Sequence, residues 1–169
     1  MLLLFSFCNQ NQRDVTVYRL KHVVEKSDST LYIFSKYDSS NYKLYHYRNS
    51  SNKGFQKSIE LKIDTSKPST VLFNLDTFQY RGSSRYYINH KNIYVKSYLG
   101  AFKGADTGLA LYLTYNEGLI IVQSIGWLTN FTFIYDSNSI EIINLLLADS
   151  SGFVLTKNFE DKFFQYKDQ

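Results

Sequence analysis

Cysteine, proline and glycine are scarce in this chain. Of its 169 residues, one is cysteine, one is proline and eight are glycine. A single thiol, Cys8, cannot close a disulfide within the chain, and no cysteine-based zinc cluster can form around it. No internal repeat and no low-complexity stretch is present. The apolar opening, Met1–Phe7, falls well short of the roughly 20 residues that span a bilayer. The length itself fits one domain. A chain of this size buries roughly 70% of the surface its unfolded form exposes, so its core can stand without cross-links or metal.

Aromatic residues are abundant, with 15 Tyr and 13 Phe. They suit a pleated, half-buried surface and favour strands. The net charge of +4 conceals an asymmetry. Residues 1–103 hold 16 Lys/Arg against 7 Asp/Glu, and residues 104–169 hold 3 against 8, giving balances of +9 and −5. Such a split either marks an acidic partner for the first part or is neutralised across one fold.

The N-terminus reads Met1-Leu-Leu-Leu-Phe-Ser-Phe-Cys8, followed by Asn9-Gln10-Asn11-Gln12. An apolar run that ends at a cysteine and switches abruptly to polar residues is typical of a processing segment. Leu4-Phe5-Ser6-Phe7-Cys8 resembles the lipobox of bacterial membrane lipoproteins, although Phe7 stands where a small residue is usual and no basic residue precedes the run. The resemblance covers about a dozen residues. It implies a lipid on Cys8, a membrane-anchored place in the bacterial cell envelope, and a polar tether before the folded part. The alternative is that Leu2–Phe7 forms an edge strand with a buried free thiol.

From Asp14 onward, short strands alternate with polar turns. Val15 and Val17 begin the first strand, which runs to about Val24. Leu31–Phe34 and Tyr42–Arg48 follow. In Phe55–Ile63, Ile59, Leu61 and Ile63 share a face opposite Ser58, Glu60 and Lys62, as expected of a strand with one side on a core and one in water. Arg81-Gly82-Ser83-Ser84 reads as a turn between Thr77–Tyr80 and Tyr86-Tyr87-Ile88. Asn89-His90-Lys91-Asn92 suits a hairpin loop to Ile93–Tyr98. Leu109–Tyr115 and Leu119–Val122, joined through Asn116-Glu117-Gly118, form the strongest hairpin signal. Trp127–Tyr135 gives one more strand. Over Asn138–Asp149 the period changes to that of a helix of about three turns, apolar over most of its circumference. Asn138 with Glu141 resembles a capping box. Phe153–Thr156 is a candidate last strand.

Short connections imply antiparallel pairing. The fold class expected is mainly β (α+β), with about ten strands in a curved antiparallel sheet, half-barrel or two-layer structure. One helix near the C-terminus covers an open face or plugs an end. Residues 1–13 are expected to be signal and tether, and 14–169 a single β-rich domain.

Motifs that would fix a reaction are missing. None of His22, His46 and His90 has a metal-like partner at helical spacing, and no HExxH occurs. Val122-Gln-Ser-Ile-Gly126 lacks the first glycine of a hydrolase nucleophile elbow. Gly100, Gly104 and Gly108 lack phosphate-loop spacing, so no cofactor is expected. The sparse carboxylates leave open a glycosidase-like pair brought together by the fold. The most suggestive feature is tyrosine interleaved with basic residues. Lys43, Tyr45, Tyr47, Arg85, Tyr86, Tyr94 and Lys96 are the candidate ligand-binding surface, since rings beside cations stack on sugars and hold anionic groups. The bland account is cross-strand packing, with lysine keeping the sheet soluble. The expectation is a non-catalytic envelope binding or assembly module that contacts a membrane through its lipid, and an envelope protein or a glycan, but no nucleic acid. A glycan hydrolase and an intracellular interaction or immunity protein are the alternatives.

Overall fold

The computed structural model describes residues 12–21, 29–50, 56–101, 108–125 and 129–155. The segment Met1–Phe7, Cys8, His22, Trp127 and the tail after Leu155 lie outside the described residues. The strands are β1 Arg13–Lys21, β2 Ser29–Asp38, β3 Tyr42–Asn49, β4 Ser58–Asp64, β5 Thr70–Phe73, β6 Asp76–Ile88, β7 Lys91–Gly100, β8 Leu109–Thr114, β9 Gly118–Ser124 and β10 Thr129–Ile134. The helix is α1, Ser137–Ala148.

Each strand pairs antiparallel with the next, and β1 pairs with β10 from Thr16↔Ile134 to Lys21↔Thr129. The fold is therefore mainly β with one C-terminal helix, as expected, but the sheet goes further than a curved sheet or half-barrel and closes into a ten-stranded barrel. Closure removes both sheet edges that an open meander would expose.

A ten-stranded barrel encloses more space than small aliphatic side chains fill, which gives the aromatic abundance a purpose. Tyr32, Phe34, Tyr45, Tyr47, Phe73, Phe78, Tyr98 and Phe133 point inward and are buried with Val15, Leu61, Leu111 and Val122. The alternation read in β4 holds, since Ile59, Leu61 and Ile63 are buried. Rings meet at the angles aromatic quadrupoles favour. Phe34 lies edge-on to Tyr135 at 5.3 Å and Tyr47 edge-on to Phe133 at 5.2 Å.

A second apolar cluster lies outside the barrel. Ser139, Ile142, Ile143 and Leu146 form the i, i+3, i+4, i+7 stripe of α1. The three apolar members cover Ile88, Val95, Ala110, Tyr112, Ile120 and Ile121 on the outer face. That is why β8 and β9 are buried on both sides and read as nearly continuous apolar runs. The helix neither plugs an end nor buries most of its circumference, because Leu145 on its far side is 37% exposed.

Several boundaries differ from the sequence reading. Arg81–Ser84 is not a turn. β6 runs through it, with a register irregularity between Tyr80 and Gly82. The helix cap is Asp136 rather than Asn138, because Ser139 supplies the reciprocal partner. The Asp136 carboxylate accepts from the Ser139 N–H at 3.0 Å, and the Asp136 N–H donates to Ser139 Oγ at 3.0 Å. Phe153–Leu155 forms no strand. It folds back so that the Leu155 N–H donates to the Tyr112 hydroxyl at 3.1 Å.

Candidate functional site

Up-and-down order brings the start of β1, the end of β2, the start of β3, the β6–β7 hairpin, the β8–β9 turn and the end of β10 to one end of the barrel. The β8–β9 turn, Tyr115-Asn116-Glu117, folds inward there. Gly118 permits this with φ of 87°. A Cβ at Gly118 would lie 2.8 Å from the Tyr45 ring and collide with the Tyr47 hydroxyl, so only glycine fits.

Three tyrosines hold the turn. The Tyr45 hydroxyl donates to the Tyr115 carbonyl at 2.7 Å. The Leu119 N–H donates to the Tyr47 hydroxyl at 2.9 Å, and the Tyr135 hydroxyl donates to the Leu119 carbonyl at 2.7 Å. The Tyr47 and Tyr135 oxygens are 2.7 Å apart. Because Tyr135 gives its proton to Leu119, Tyr47 is the donor between the two phenols. Leu119 N–H, Tyr47 and Tyr135 thus form a closed ring of hydrogen bonds running in one sense. Burial pushes all three phenols far above the ordinary tyrosine range, which keeps them neutral. Ser139 Oγ, besides serving the helix cap, accepts from the Tyr135 N–H at 2.9 Å, so the helix start fixes one corner of the ring.

Cations surround this plug. Lys43 Nζ lies 4.3 Å and Lys96 Nζ 5.2 Å from the centre of the Tyr115 ring. Lys36 Nζ lies 5.8 Å from that of Tyr45. The Arg13 guanidinium lies over Phe34 at 5.1 Å and over Tyr135 at 4.6 Å. Asp38 forms ion pairs with Lys36 at 3.1 Å and with Lys43 at 3.8 Å, while Lys96 forms no ion pair among the described residues. A half-buried carboxyl, Glu117, lies beneath. Burial raises its pKa, the nearby Asp136 raises it further, and Arg13 pulls it partly back.

The seven residues singled out in the sequence divide four ways. Lys43 and Lys96, from distant strands, converge on Tyr115. Tyr45 and Tyr47 are wholly buried, and their phenols anchor the plug from below. Arg85 and Tyr94 are register partners on the exposed face of β6–β7, next to the pair Ser83↔Lys96. Tyr86 points the other way, packing toward α1 and donating to Asp149 at 2.9 Å. Arg13, Lys36, Tyr115, Glu117 and Tyr135 complete the site and were not legible as members of it. Each stands alone among ordinary strand or turn residues, with no local pattern to mark it.

This arrangement suits an anionic group better than a metal. Among the described residues, no group of three His, Cys, Asp or Glu side chains is placed to hold a metal ion. Lysine amines over aromatic faces attract carboxylates, sulfates or phosphates while the rings supply flat apolar contact. No family model matches the chain, and comparison with curated proteins and with solved structures found no match for it either.

Proposed function

We propose that the protein is a non-catalytic binding module of the bacterial cell envelope, held to a membrane by a lipid on Cys8, and that its plugged end takes an anionic ligand. The observation that carries the ligand reading is the convergence of Lys43 and Lys96 on Tyr115, with Lys36 and Arg13 alongside and Asp38 as the neighbouring acid. The anchoring reading is supported by the lipobox-like run before Cys8. No described helix is long and apolar enough to cross a membrane.

The test is calorimetric titration of the full chain with an acidic glycan, oligogalacturonate, at low and physiological salt. Binding is expected to weaken with salt, as screening requires. The double variant Lys43→Glu/Lys96→Glu is expected to lose about tenfold or more in affinity. Equal binding by that variant, or no binding by the parent, overturns the ligand reading. Intact-mass analysis of native protein tests the anchor independently: an unmodified Met1 start excludes it.

One observation favours a second reading, glycan hydrolysis. Glu117 is a half-buried carboxyl of raised pKa with Asp136 near enough to contribute to the shift. Asp136, however, is engaged in capping α1. Turnover of a glycan by the parent and its abolition in Glu117→Gln would establish that reading over the first.

A further inference from the structure

The β6–β7 hairpin runs on past its neighbours. β5 pairs with β6 only over Asp76–Gln79, followed by one last bond from the Tyr80 N–H to the Ser69 carbonyl at 2.8 Å. β8 reaches β7 only as far as Val95. Among the described residues, Gly82–Ile88 pairs with β7 alone. This part of β6 is an open edge on an otherwise closed barrel.

The direction of its backbone groups follows from the hairpin. Asn89 and His90 have φ of 47° and 62°, the mark of a two-residue I′ turn. In such a turn the flanking pair, Ile88 and Lys91, exchanges both backbone hydrogen bonds. Counting back by alternation, the N–H and C=O of Tyr87, Arg85 and Ser83 point away from β7. The side chains of the same three residues are exposed. The opposite face is braced. Asn89 Nδ2 donates to Asn138 Oδ1 at 2.6 Å, Tyr86 bonds Asp149, and the Arg81 guanidinium donates to the carbonyls of Gly152 and Phe153 at 3.0 and 2.6 Å. The edge is thus held extended and available.

Charge selects its occupant. Between Asp76 and Asp106 the sequence contains no carboxylate, but it contains Arg81, Arg85, Lys91, Lys96 and Lys103. A second copy pairing edge to edge would bring Arg85 of the two copies toward each other, which is destabilising. An acidic strand would meet Arg85 and lay its backbone beside Tyr87, which is 67% exposed, while Lys96 and Tyr94, one strand further in on β7, extend the basic and aromatic character of the same face.

We propose that the Ser83–Tyr87 edge accepts an extended acidic segment of a partner protein as an added β-strand. Main-chain bonds would supply affinity, and the basic face specificity. This deepens the anionic-ligand reading and rests on it. The probe is an end-capped octapeptide alternating Glu and Thr, with an N-methylated analogue that keeps the charge but cannot pair as a strand. Fluorescence anisotropy of the labelled peptides is measured on the full chain, and amide shifts are followed at Ser83, Arg85 and Tyr87. The plain peptide is expected to bind and to shift those amides. Ser83→Pro removes one outward N–H while keeping every charge, and Arg85→Glu keeps the backbone while reversing one. Each is expected to weaken binding about tenfold. Equal binding of the N-methylated peptide, or an unchanged affinity in Ser83→Pro, overturns strand addition and leaves the anionic reading standing. Binding of oligogalacturonate without binding of the peptide does the same. Failure of every anion to bind removes both.

Discussion

Replacing Tyr47 by Phe removes one hydroxyl from the ring it forms with Leu119 and Tyr135, and the cost can be worked from the geometry. The Leu119 N–H, buried and bonded at 2.9 Å, loses its acceptor. An orphaned buried donor costs about 1–3 kcal/mol, and the lost phenol–phenol bond adds about 0.5–1.5 kcal/mol. Tyr47→Phe should therefore cost about 2–4 kcal/mol. Tyr135→Phe strands the Leu119 carbonyl and the Tyr47 proton, with a similar cost. Both variants lose the same 2.7 Å phenol–phenol bond, so the double variant should cost about 1 kcal/mol less than the sum of the singles. Urea unfolding of the parent, both singles and the double measures all four corners of the cycle. In thermal melts each kcal/mol should appear as a drop of about 2–4 °C. Strict additivity, or either single costing under about 0.5 kcal/mol, would refute the closed ring.

Gly118→Ala should destabilise by more than about 1 kcal/mol, because φ there is positive and a methyl meets the Tyr45 ring; denaturant midpoints check this. Glu117 has a folded pKa raised by burial, so in the folded protein it holds its proton at pH values where the unfolded chain has lost it. Its contribution is present below the unfolded pKa and is lost as pH rises through the folded one. Glu117→Gln should therefore raise Tm at pH 7, with the difference vanishing in mild acid; a Tm difference independent of pH would contradict it. Asn130 is wholly buried on the outer face of β10, and among the described residues its side-chain amide has no hydrogen-bond partner. Asn130→Leu should stabilise the protein by about 1 kcal/mol in the same unfolding assay.

Local pattern made the strands and the helix readable, and distance in sequence hid the rest. Alternation in β4 and the change of period in α1 each depend on a few adjacent residues, and both are present in the structure. The hairpin of β8 and β9 follows from one turn signal. Barrel closure depends on Thr16 meeting Ile134, a pairing no short window contains. The β6 arm looks like a turn at Arg81–Ser84 because a two-stranded ribbon with one open face tolerates Gly and Ser where a barrel strand would carry apolar residues. At the site, Lys43 and Lys96 were legible beside tyrosines, but their meeting point, Tyr115, lies on a turn remote from both. Arg13 and Lys36 join it from two further strands.

The Arg13 side chain rests on Tyr135, so the chain enters the barrel at its plugged rim. Four residues, Asn9 to Gln12, separate Cys8 from Arg13, and the five steps between them span at most about 18 Å. An acyl group on that cysteine would hang the barrel mouth-down, with its lysines hovering over the lipid headgroups and the far rim turned toward the aqueous space. A purification handle fused ahead of Gln12 would crowd the same doorway.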